Sequence, residues 1–594
     1  MRLATLLCSF LLLAAPAMTQ QASDRIIPEA GGAGRVVTSD RVAVALQAKA
    51  DTRPVEAREW MVVAAHPLAA EAGADVLAAG GTAADAMVAV QAVLGLVEPQ
   101  SSGLGGGAFL VWHDGATGAI TTLDGRETAP LEATPRLFQD AQGEPLKFFD
   151  AVVGGRSVGT PGTPALMAAA HARWGRADWA DLLAPAIRLA DTGFPVSPRL
   201  AMLVAADAER LAVDPATAGY FLPEGKPLTE GAMLRNPAYA QTLRSLAEQG
   251  VDGFYTGPVA EAIVQAVRGA AHNPGLLGPL DLAIYRVKER AAVCAPYRGH
   301  EVCGMGPPSS GAVAVGQILG MLEATDLAAL GPSDPESWRL IGEASRLAFA
   351  DRARYLADSD FVPVPVAGLL DPAYLRRRAA LIAGGAVLPE AQAGQPAFDH
   401  TLNLADGITL EQPSTSHVSI VDSFGNALSM TSTIENAFGA RLMAGGFLLN
   451  NELTDFSFRS HVDGVPVANR VAPGKRPRSS MAPTIVRRGG QPVLVLGSPG
   501  GSSIIGYVTS ALIAHLDWGL DVQQAVAAGH LLNRFGIYDL EAGTEAEALA
   551  DPLRALGYEV RLGPQTSGLH AISIGPDGLR GGADPRREGV ALGK

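Results

Sequence analysis

The chain has 594 residues, of which 48% are hydrophobic and 18% are charged, so it can bury a large core and is not intrinsically disordered. Its formal net charge is -14 and it contains no long run of Lys and Arg, which argues against nucleic acid as a partner. The 68 Gly and 41 Pro residues indicate many tight turns between buried elements, a composition typical of compact α/β or α+β proteins.

The N-terminus has the pattern of a secretory signal. Arg2 precedes an apolar run over residues 3–15, and small residues follow at Ala15 and Ala17. The run is shorter than the ~20 residues that span a bilayer. We therefore expect a signal peptide over residues 1–17, a secreted protein (periplasmic in a Gram-negative source) and no stable membrane span, with a retained anchor as the alternative.

Two helices and a strand are predicted next along the chain. Apolar spacing predicts helices over 67–79 and 83–97, and a strand over 108–112. The glycine-rich stretch 103–107 lies between the second helix and this strand. A phosphate-binding loop has the opposite order, strand before glycines before helix, so we expect close backbone packing here and not a nucleotide site.

The middle of the chain is mainly helical in pattern, with helices predicted over 164–174 and 337–356. Cys294 and Cys303 lie here on either side of the turn-like stretch 296–299. In an oxidising compartment they are suited to a cross-strand disulfide, and two free buried thiols are the alternative.

The periodic spacing of apolar residues weakens over 384–413, which predicts a loop or linker. A strand-like pattern begins abruptly at Thr415. Strands and helices alternate beyond this point, so the whole chain predicts sheets sandwiched between helices. The predicted elements are strands 417–422 and 427–434, a hairpin within 484–496, helices 504–516 and 522–528, and a strand near 570–574.

The change from linker to strand at Thr415 also suggests a site where the chain could be cut and a residue that could act as a nucleophile. An exposed irregular segment is where a chain can be cut without loss of its core. A cut before Thr415 would free an α-amine with a pKa of about 8, which can accept the proton of the residue's own hydroxyl. One residue would then supply both nucleophile and base.

The stretch Thr415-Ser-His-Val-Ser-Ile-Val-Asp422 resembles the start of the small subunit of γ-glutamyltranspeptidases. The resemblance covers nearly the whole chain after the signal, in the family's order. It includes Leu104-Gly-Gly-Gly107, Arg126-Glu127, Pro307-Pro-Ser-Ser-Gly311, Leu449-Asn-Asn451, Asp455-Phe456, Lys475-Arg-Pro-Arg-Ser-Ser-Met481, Gly497-Ser-Pro-Gly-Gly501 and Asp584-Pro-Arg586.

The resemblance implies a four-layer αββα sandwich of the N-terminal nucleophile hydrolase type. It also implies self-cleavage between Ser414 and Thr415. The products would be a large fragment, 18–414, and a small catalytic fragment, 415–594, which together form one domain as a heterodimer.

The catalytic residues follow from the same resemblance. Thr415 is implied as the nucleophile and Thr433 as the hydroxyl that orients it. Gly500 and Gly501 are implied as backbone donors to the tetrahedral oxyanion, a role that suits glycine because the backbone must approach closely. A plain turn is the alternative for these glycines. Ser498 does not fit a nucleophile elbow and is a poor candidate.

Substrate-binding residues are implied as well. Arg126 matches the arginine that binds the α-carboxylate, and a planar guanidinium can hold two oxygens at once. Ser479 and Ser480 match the hydroxyls that help it. Glu452 and Asp455 match positions that face the α-ammonium. Read without the family, these residues would be ordinary ion pairs, turn residues and solvated charges.

Glu435 departs from the Asn that many family members have two residues after the second threonine. Glu still accepts hydrogen bonds from an ammonium, so we favour glutamyl over glutaryl substrates. The segment 455–479 is short and lacks a tyrosine, which puts a lid over the site in doubt. We expect His417 to pack or orient, because the terminal amine already supplies a base.

The sequence therefore predicts a γ-glutamyltransferase or glutathione hydrolase that acts on glutathione and other γ-glutamyl compounds, with water, amino acids or peptides as acceptors. No cofactor and no metal are expected, since metal-ligand motifs are missing from the sequence. The alternatives are a glutaryl or cephalosporin-type acylase of the same fold and a non-catalytic periplasmic binder of acidic amino acids.

Overall fold

The computed structural model describes residues 36–407, 409, 411 and 414–594. The expected signal peptide, residues 1–17, lies outside these described residues. None of the helices in the described part of the chain combines the length and apolarity that a bilayer crossing needs.

Two seven-stranded antiparallel sheets form the centre of the protein. In spatial order, the first sheet contains Val590–Gly593, Met61–Ala64, Ser416–Val421, Ala427–Thr433, Gly107–His113, Ile120–Gly125 and Lys288–Arg290. In spatial order, the second sheet contains Val55–Ala57, Gly578–Ala583, His570–Gly575, Gln491–Gly497, Thr484–Arg488, His300–Gly304 and Val293–Tyr297.

Helices cover the outer face of each sheet. Helices whose apolar side chains join the cluster on the outer side of the first sheet include Asp40–Ala50, Pro67–Ala78, Ala83–Val97, Thr163–Trp174, Trp179–Thr192, Pro198–Ala206, Pro237–Gln249 and Gly257–Arg268. Helices that join the cluster on the outer side of the second sheet include Gly311–Leu322, Pro335–Tyr355, Pro372–Ile382, Ile504–Leu516, Val522–Ala527 and Ala550–Ala555. Small sheets pair Phe194–Pro195 with Met233–Leu234, Met443–Ala444 with Phe447–Leu448, His461–Val462 with Val465–Pro466, and Leu531–Asn533 with Ile537–Glu541 and Glu559–Gly563.

The alternation of side chains along the strands explains the four layers. Side chains on a strand point to opposite faces in turn. In Met61–Ala64, Val62 and Ala64 contact the helical layer, whereas Met61 and Val63 join the apolar cluster between the two sheets. All four side chains are buried, as expected for a strand covered on both sides. The fold is the predicted αββα sandwich.

Local signals in the sequence account for most element boundaries. The predicted helix 83–97 is observed as Ala83–Val97, since Thr82 and Asp85 form a reciprocal cap at its start. The predicted helix 504–516 is observed as Ile504–Leu516. Cys294 and Cys303 are joined in a disulfide on neighbouring antiparallel strands, so of the two alternatives the structure has the disulfide and not the free thiols.

Candidate active site

Thr415 and Thr433 meet because their strands are neighbours in antiparallel register. Ser416, which begins one strand, pairs with Ser432 near the end of the next, so the residues just beyond them lie opposite each other. The two threonine hydroxyl oxygens are 3.1 Å apart. Gly106 supports this position, because a Cβ there would lie 1.9 Å from the Thr433 carbonyl oxygen. The glycine-rich stretch therefore serves close packing, as predicted.

At the peptide bond before Thr415, the carbonyl groups of Ser414 and Thr415 both accept hydrogen bonds. The Ser414 carbonyl accepts a hydrogen bond from the Gly500 N–H at 3.1 Å. The Thr415 carbonyl accepts one from Arg587 Nη1 at 3.0 Å. Thr415 itself has a φ of 99°, a region that costs a β-branched residue energy. The backbone is thus held in a strained conformation at the predicted cleavage site.

Gly500 and Gly501 both adopt positive φ, 134° and 56°. A Cβ on Gly500 would lie 2.7 Å from Tyr507 Cε2, so the position requires glycine. Gly501 begins the short 3₁₀ turn that leads into the helix Ile504–Leu516. Ser498 donates its hydroxyl proton to the Pro499 carbonyl and is fully buried, in keeping with its rejection as a nucleophile.

Arg126 is fully buried and binds two carboxylates. Its Nη1 donates to Glu452 and its Nη2 to Asp455. Its Nε donates to the Pro477 carbonyl at 3.2 Å and its Nη2 to the Arg478 carbonyl at 3.0 Å. Burial would lower the pKa of Arg126, but its acidic neighbours outweigh burial and raise it. The guanidinium is therefore charged and fixed in place.

Several buried acidic side chains surround the single positive charge of Arg126. Burial raises the pKa of Glu127 to about 8 despite the opposing charge of Arg126. Burial also raises the pKa values of Glu452 and Asp455 well above their usual range. Asp455 Oδ1 has no hydrogen-bond partner among the described residues. Such a cluster is suited to a cationic group of a ligand.

Glu435 connects this acidic cluster to the threonine pair. Its backbone N–H donates to Thr433 Oγ1 at 2.9 Å, and its carboxylate accepts a hydrogen bond from Asn451 Nδ2. It has a φ of 74°, so its backbone turns sharply directly after the strand that carries Thr433. The side chain is buried and contributes to the raised pKa of Glu452.

Ser479 and Ser480 lie beside a carboxylate that the sequence did not single out. Ser479 Oγ accepts a hydrogen bond from the Met481 N–H at 3.1 Å. Ser480 Oγ donates to Glu411 and accepts from Arg352 Nη2 at 2.7 Å. All the predicted site residues except Gly500 line one cavity with Glu411.

Glu411, Arg352 and Arg587 were missed from the sequence. Glu411 belongs to the stretch interpreted only as a linker, and Arg352 to a helix interpreted only as scaffold. Arg587 follows the motif that ends at Arg586, which was quoted for the resemblance without a role. No periodicity or spacing in a single sequence marks these three side chains as neighbours of Thr415.

His417 contacts other side chains of its own sheet. Its ring nitrogens lie 2.8 Å from Thr431 Oγ1 and 3.0 Å from Ser419 Oγ. Burial and the neighbouring His570 lower its pKa well below the usual value, so the ring is neutral. These contacts fit a packing and orienting role.

Two stacked sheets lie between helical layers, and Thr415, just before one central strand, meets Thr433 at the end of the next. This arrangement is that of the N-terminal nucleophile hydrolase class. The family model described as Gamma-glutamyltranspeptidase matches residues 69–594. The chain belongs to the γ-glutamyltranspeptidase family, and it is an enzyme of the γ-glutamyltransferase and glutathione hydrolase type.

Similar proteins include both hydrolases and acylases. The chain is 37% identical over 549 residues to a "Glutathione hydrolase proenzyme" of Bacillus subtilis (strain 168), covering 90% of this chain and 92% of that protein. It is 37% identical over 552 residues to an "Acylase ACY 1 proenzyme" of Pseudomonas sp. (strain SE83), covering 91% and 95%. A cephalosporin acylase structure from Bacillus halodurans matches with a TM-score of 0.81 at 27% identity, covering 91% and 97%.

Proposed function

We propose that the chain cuts itself between Ser414 and Thr415 and that Thr415 then hydrolyses or transfers γ-glutamyl groups. The observation that carries the proposal is the Ser414 carbonyl, which accepts the Gly500 N–H directly beside the paired hydroxyls of Thr415 and Thr433. Electrophile, nucleophile and oxyanion donor are thus assembled in the uncut chain.

Self-cleavage begins when Thr415 Oγ attacks the carbonyl carbon of Ser414. The Gly500 N–H stabilises the negative charge that develops on the carbonyl oxygen, and Thr433 Oγ1 relays the hydroxyl proton. The C–N bond breaks, and the peptide nitrogen becomes the α-amine of Thr415 as the acyl group moves to its oxygen. Water then hydrolyses this ester, which leaves a large fragment that ends at Ser414. Relief of the positive φ at Thr415 favours the step.

Turnover repeats the same chemistry on a substrate. The free α-amine of Thr415 accepts the proton of its own hydroxyl, and Thr415 Oγ attacks the γ-carbonyl carbon. The backbone N–H groups of Gly500 and Gly501 bind the oxyanion. The departing amine takes up the proton, and a γ-glutamyl ester forms on Thr415. Water or the amino group of an acceptor resolves this ester and restores the hydroxyl.

The charge of the site favours γ-glutamyl donors such as glutathione. A γ-glutamyl group carries an α-carboxylate and an α-ammonium. Glu435, Glu452 and Asp455 line the cavity beside Thr415, where they would face the ammonium, and Asp455 Oδ1 has no hydrogen-bond partner among the described residues. A glutaryl group lacks this cation, so it would give Asp455 Oδ1 no hydrogen-bond donor.

Intact-mass analysis and a γ-glutamyl anilide assay on one sample test the proposal. We expect two fragments, the smaller one beginning at Thr415, together with release of the aniline. Thr415→Ala is expected to abolish both. A purified protein that releases aniline as one uncut chain would refute the mechanism.

An acylase is the second candidate, because relatives and a solved structure carry that name. Rates on γ-glutamyl and glutaryl anilides separate the two functions. We expect the γ-glutamyl anilide to react faster, and Glu435→Gln to reduce its advantage about tenfold through loss of one charge near the ammonium. A wild-type enzyme that prefers the glutaryl anilide would establish the acylase.

The alternative of a non-catalytic binder of acidic amino acids is not supported, because the chain is an enzyme of the γ-glutamyltransferase and glutathione hydrolase type. We also propose export of the enzyme, on the basis of the signal pattern over residues 1–17 and the disulfide. The short segment between Asp455 and Ser479 supports a site without a lid.

A further inference from the structure

Glu98 and Gln100 contact the residues on both sides of Thr415. Ser416 Oγ donates to Glu98 Oε2 at 2.9 Å, and Ser414 Oγ donates to the Gln100 carbonyl at 3.1 Å. The side chains of Glu98, Ser414 and Ser416 are buried. The position of Thr415 is thus fixed by a part of the chain that lies more than 300 positions earlier.

The proposed cut would leave one of these two contacts acting on Thr415. Ser414 would belong to the large fragment, as Glu98 and Gln100 do. Ser416 would stay bonded to Thr415. The hydrogen bond from Ser416 to Glu98 would therefore join the two fragments directly beside the nucleophile.

Glu98 lies where local stability does not favour a carboxylate. It follows the last residue of the helix Ala83–Val97, and the carbonyl end of a helix disfavours negative charge. Burial adds a further cost unless the charge is paired. Arg199 Nη1 donates to Glu98 Oε1 at 2.9 Å and so offsets this cost. A residue that departs from a local rule in this way is expected at a functional site, and the contact with Ser416 supplies the reason.

Both oxygens of this carboxylate are engaged. Arg199 binds Oε1, which orients the group so that Oε2 accepts from Ser416 at the start of the strand Ser416–Val421. An amide would place one acceptor and one donor at these two positions. Glutamine at position 98 could therefore accept from Arg199 or from Ser416, but not from both.

The same part of the chain also holds the partner of the nucleophile. The Ile434 N–H, directly after Thr433, donates to the Ser101 carbonyl at 3.2 Å. Ser101 Oγ in turn accepts a hydrogen bond from Arg199 Nη1 at 3.2 Å. The stretch 98–101 is thus in contact with both strands that bring the two threonines together.

We propose that Glu98 is a positioning residue, which acts through Ser416 to hold Thr415 Oγ in the geometry of attack once the chain is cut. The inference rests on the cleavage and turnover proposed above. Thr415 Oγ has to stay beside Thr433 Oγ1, 3.1 Å away, although cleavage would free the backbone on one side of Thr415. A displacement of about 1 Å in a reacting group can cost about 100-fold in rate, so a fixed neighbour matters for turnover.

Ser416→Ala and Glu98→Gln test this assignment with a γ-glutamyl anilide. Each should lower the rate of acylation of Thr415, measured by rapid mixing at saturating anilide, about 10- to 100-fold, the value of a hydrogen bond to a charged group. The inhibition constant of glutamate should keep its wild-type value, because the residues that line the cavity are unchanged. Ser416→Thr keeps the hydroxyl and should keep the rate. The double variant should be no slower than the slower single variant, since both changes remove one contact.

Glu343→Gln is the matched control. Glu343 is buried and also accepts from one arginine and one hydroxyl, Arg346 Nη1 at 2.9 Å and Tyr558 Oη at 2.7 Å. It lies on the helix Pro335–Tyr355 and is not among the described residues that line the cavity beside Thr415. This variant should have a lower melting temperature and the wild-type rate of acylation.

The outcomes separate this inference from the proposed function. If Ser416→Ala is not cut, the rate of self-cleavage of its folded precursor is compared with that of Ser416→Thr, because the same oxygen attacks in both reactions. Equal rates for these two precursors, a cleaved Ser416→Ala with the wild-type rate of acylation, or an equal loss in Glu343→Gln would overturn the inference. An uncut or inactive wild type would instead refute the proposed function.

Discussion

Replacement of Gly500 by Ala tests whether the uncut chain already holds its cleavage machinery in place. The residue has a φ of 134°, and a Cβ would lie 2.7 Å from Tyr507 Cε2. Strain of this kind costs about 1–3 kcal/mol, and loss of an aligned oxyanion donor costs a further 3–4 kcal/mol in the transition state. Since the Gly500 N–H donates to the Ser414 carbonyl, we expect self-cleavage to slow by about 10²- to 10³-fold.

The rate of cleavage is measured by denaturing gel after synthesis of the precursor, and thermal melting measures stability in parallel. Gly557→Ala is the matched control, since Gly557 has a φ of 103° but a Cβ there would meet no atom within 4 Å. It should lower the melting temperature without slowing cleavage. If Gly500→Ala were cut as fast as Gly557→Ala, Gly500 would not be the oxyanion donor, and the mechanism would have to rest on another group.

Three further outcomes follow from the contacts. Thr433→Val, which removes one hydroxyl, should slow self-cleavage about tenfold on the same gel, and an unchanged rate would contradict a proton relay at this position. The pKa of Glu411 in the folded chain is lowered to about 2 from its ordinary value of 4.5. In uncut Thr415→Ala, ionised Glu411 should therefore add up to about 3 kcal/mol to the free energy of unfolding above pH 4.5, and this contribution should be lost as the pH falls through about 2. Urea unfolding of Thr415→Ala with and without Glu411→Gln measures this term, and parallel pH profiles would count against it. The disulfide between Cys294 and Cys303 closes a short loop, so its reduction should lower the free energy of unfolding by about 2.5 kcal/mol. Turnover by the cleaved enzyme should be retained. An unaltered melting temperature in reductant would contradict this.

Elements whose signals are local could be predicted from the sequence. The helix Ala83–Val97 has its own cap at Thr82, and the predicted helix 522–528 is observed as Val522–Ala527 with a cap at Asp521. The strand pair Ser416–Val421 and Ala427–Thr433 follows from two mostly apolar stretches on either side of a turn. In these cases a few neighbouring residues contain all the information needed.

Contacts between distant residues could not be predicted in the same way. The pairing of Arg352 with Glu411 spans 59 positions and depends on the way the linker enters the site. Two of the acidic residues around Arg126, Glu452 and Asp455, are likewise more than 300 positions away in the sequence. The family resemblance supplied the predicted site residues, but the occupation of the site by the precursor's own carboxylate required the folded chain.

The order of the strands has a consequence for the two fragments that the proposed cleavage would produce. In the first sheet, Ser416–Val421 hydrogen-bonds to Met61–Ala64, and Ala427–Thr433 to Gly107–His113, so neighbouring strands come from both sides of the proposed cut. The second sheet also combines strands from both sides, with His300–Gly304 beside Thr484–Arg488 and Val55–Ala57 beside Gly578–Ala583. Separation would demand unfolding of both halves, so dilution should never dissociate them, and neither half should be obtainable as a folded species by itself.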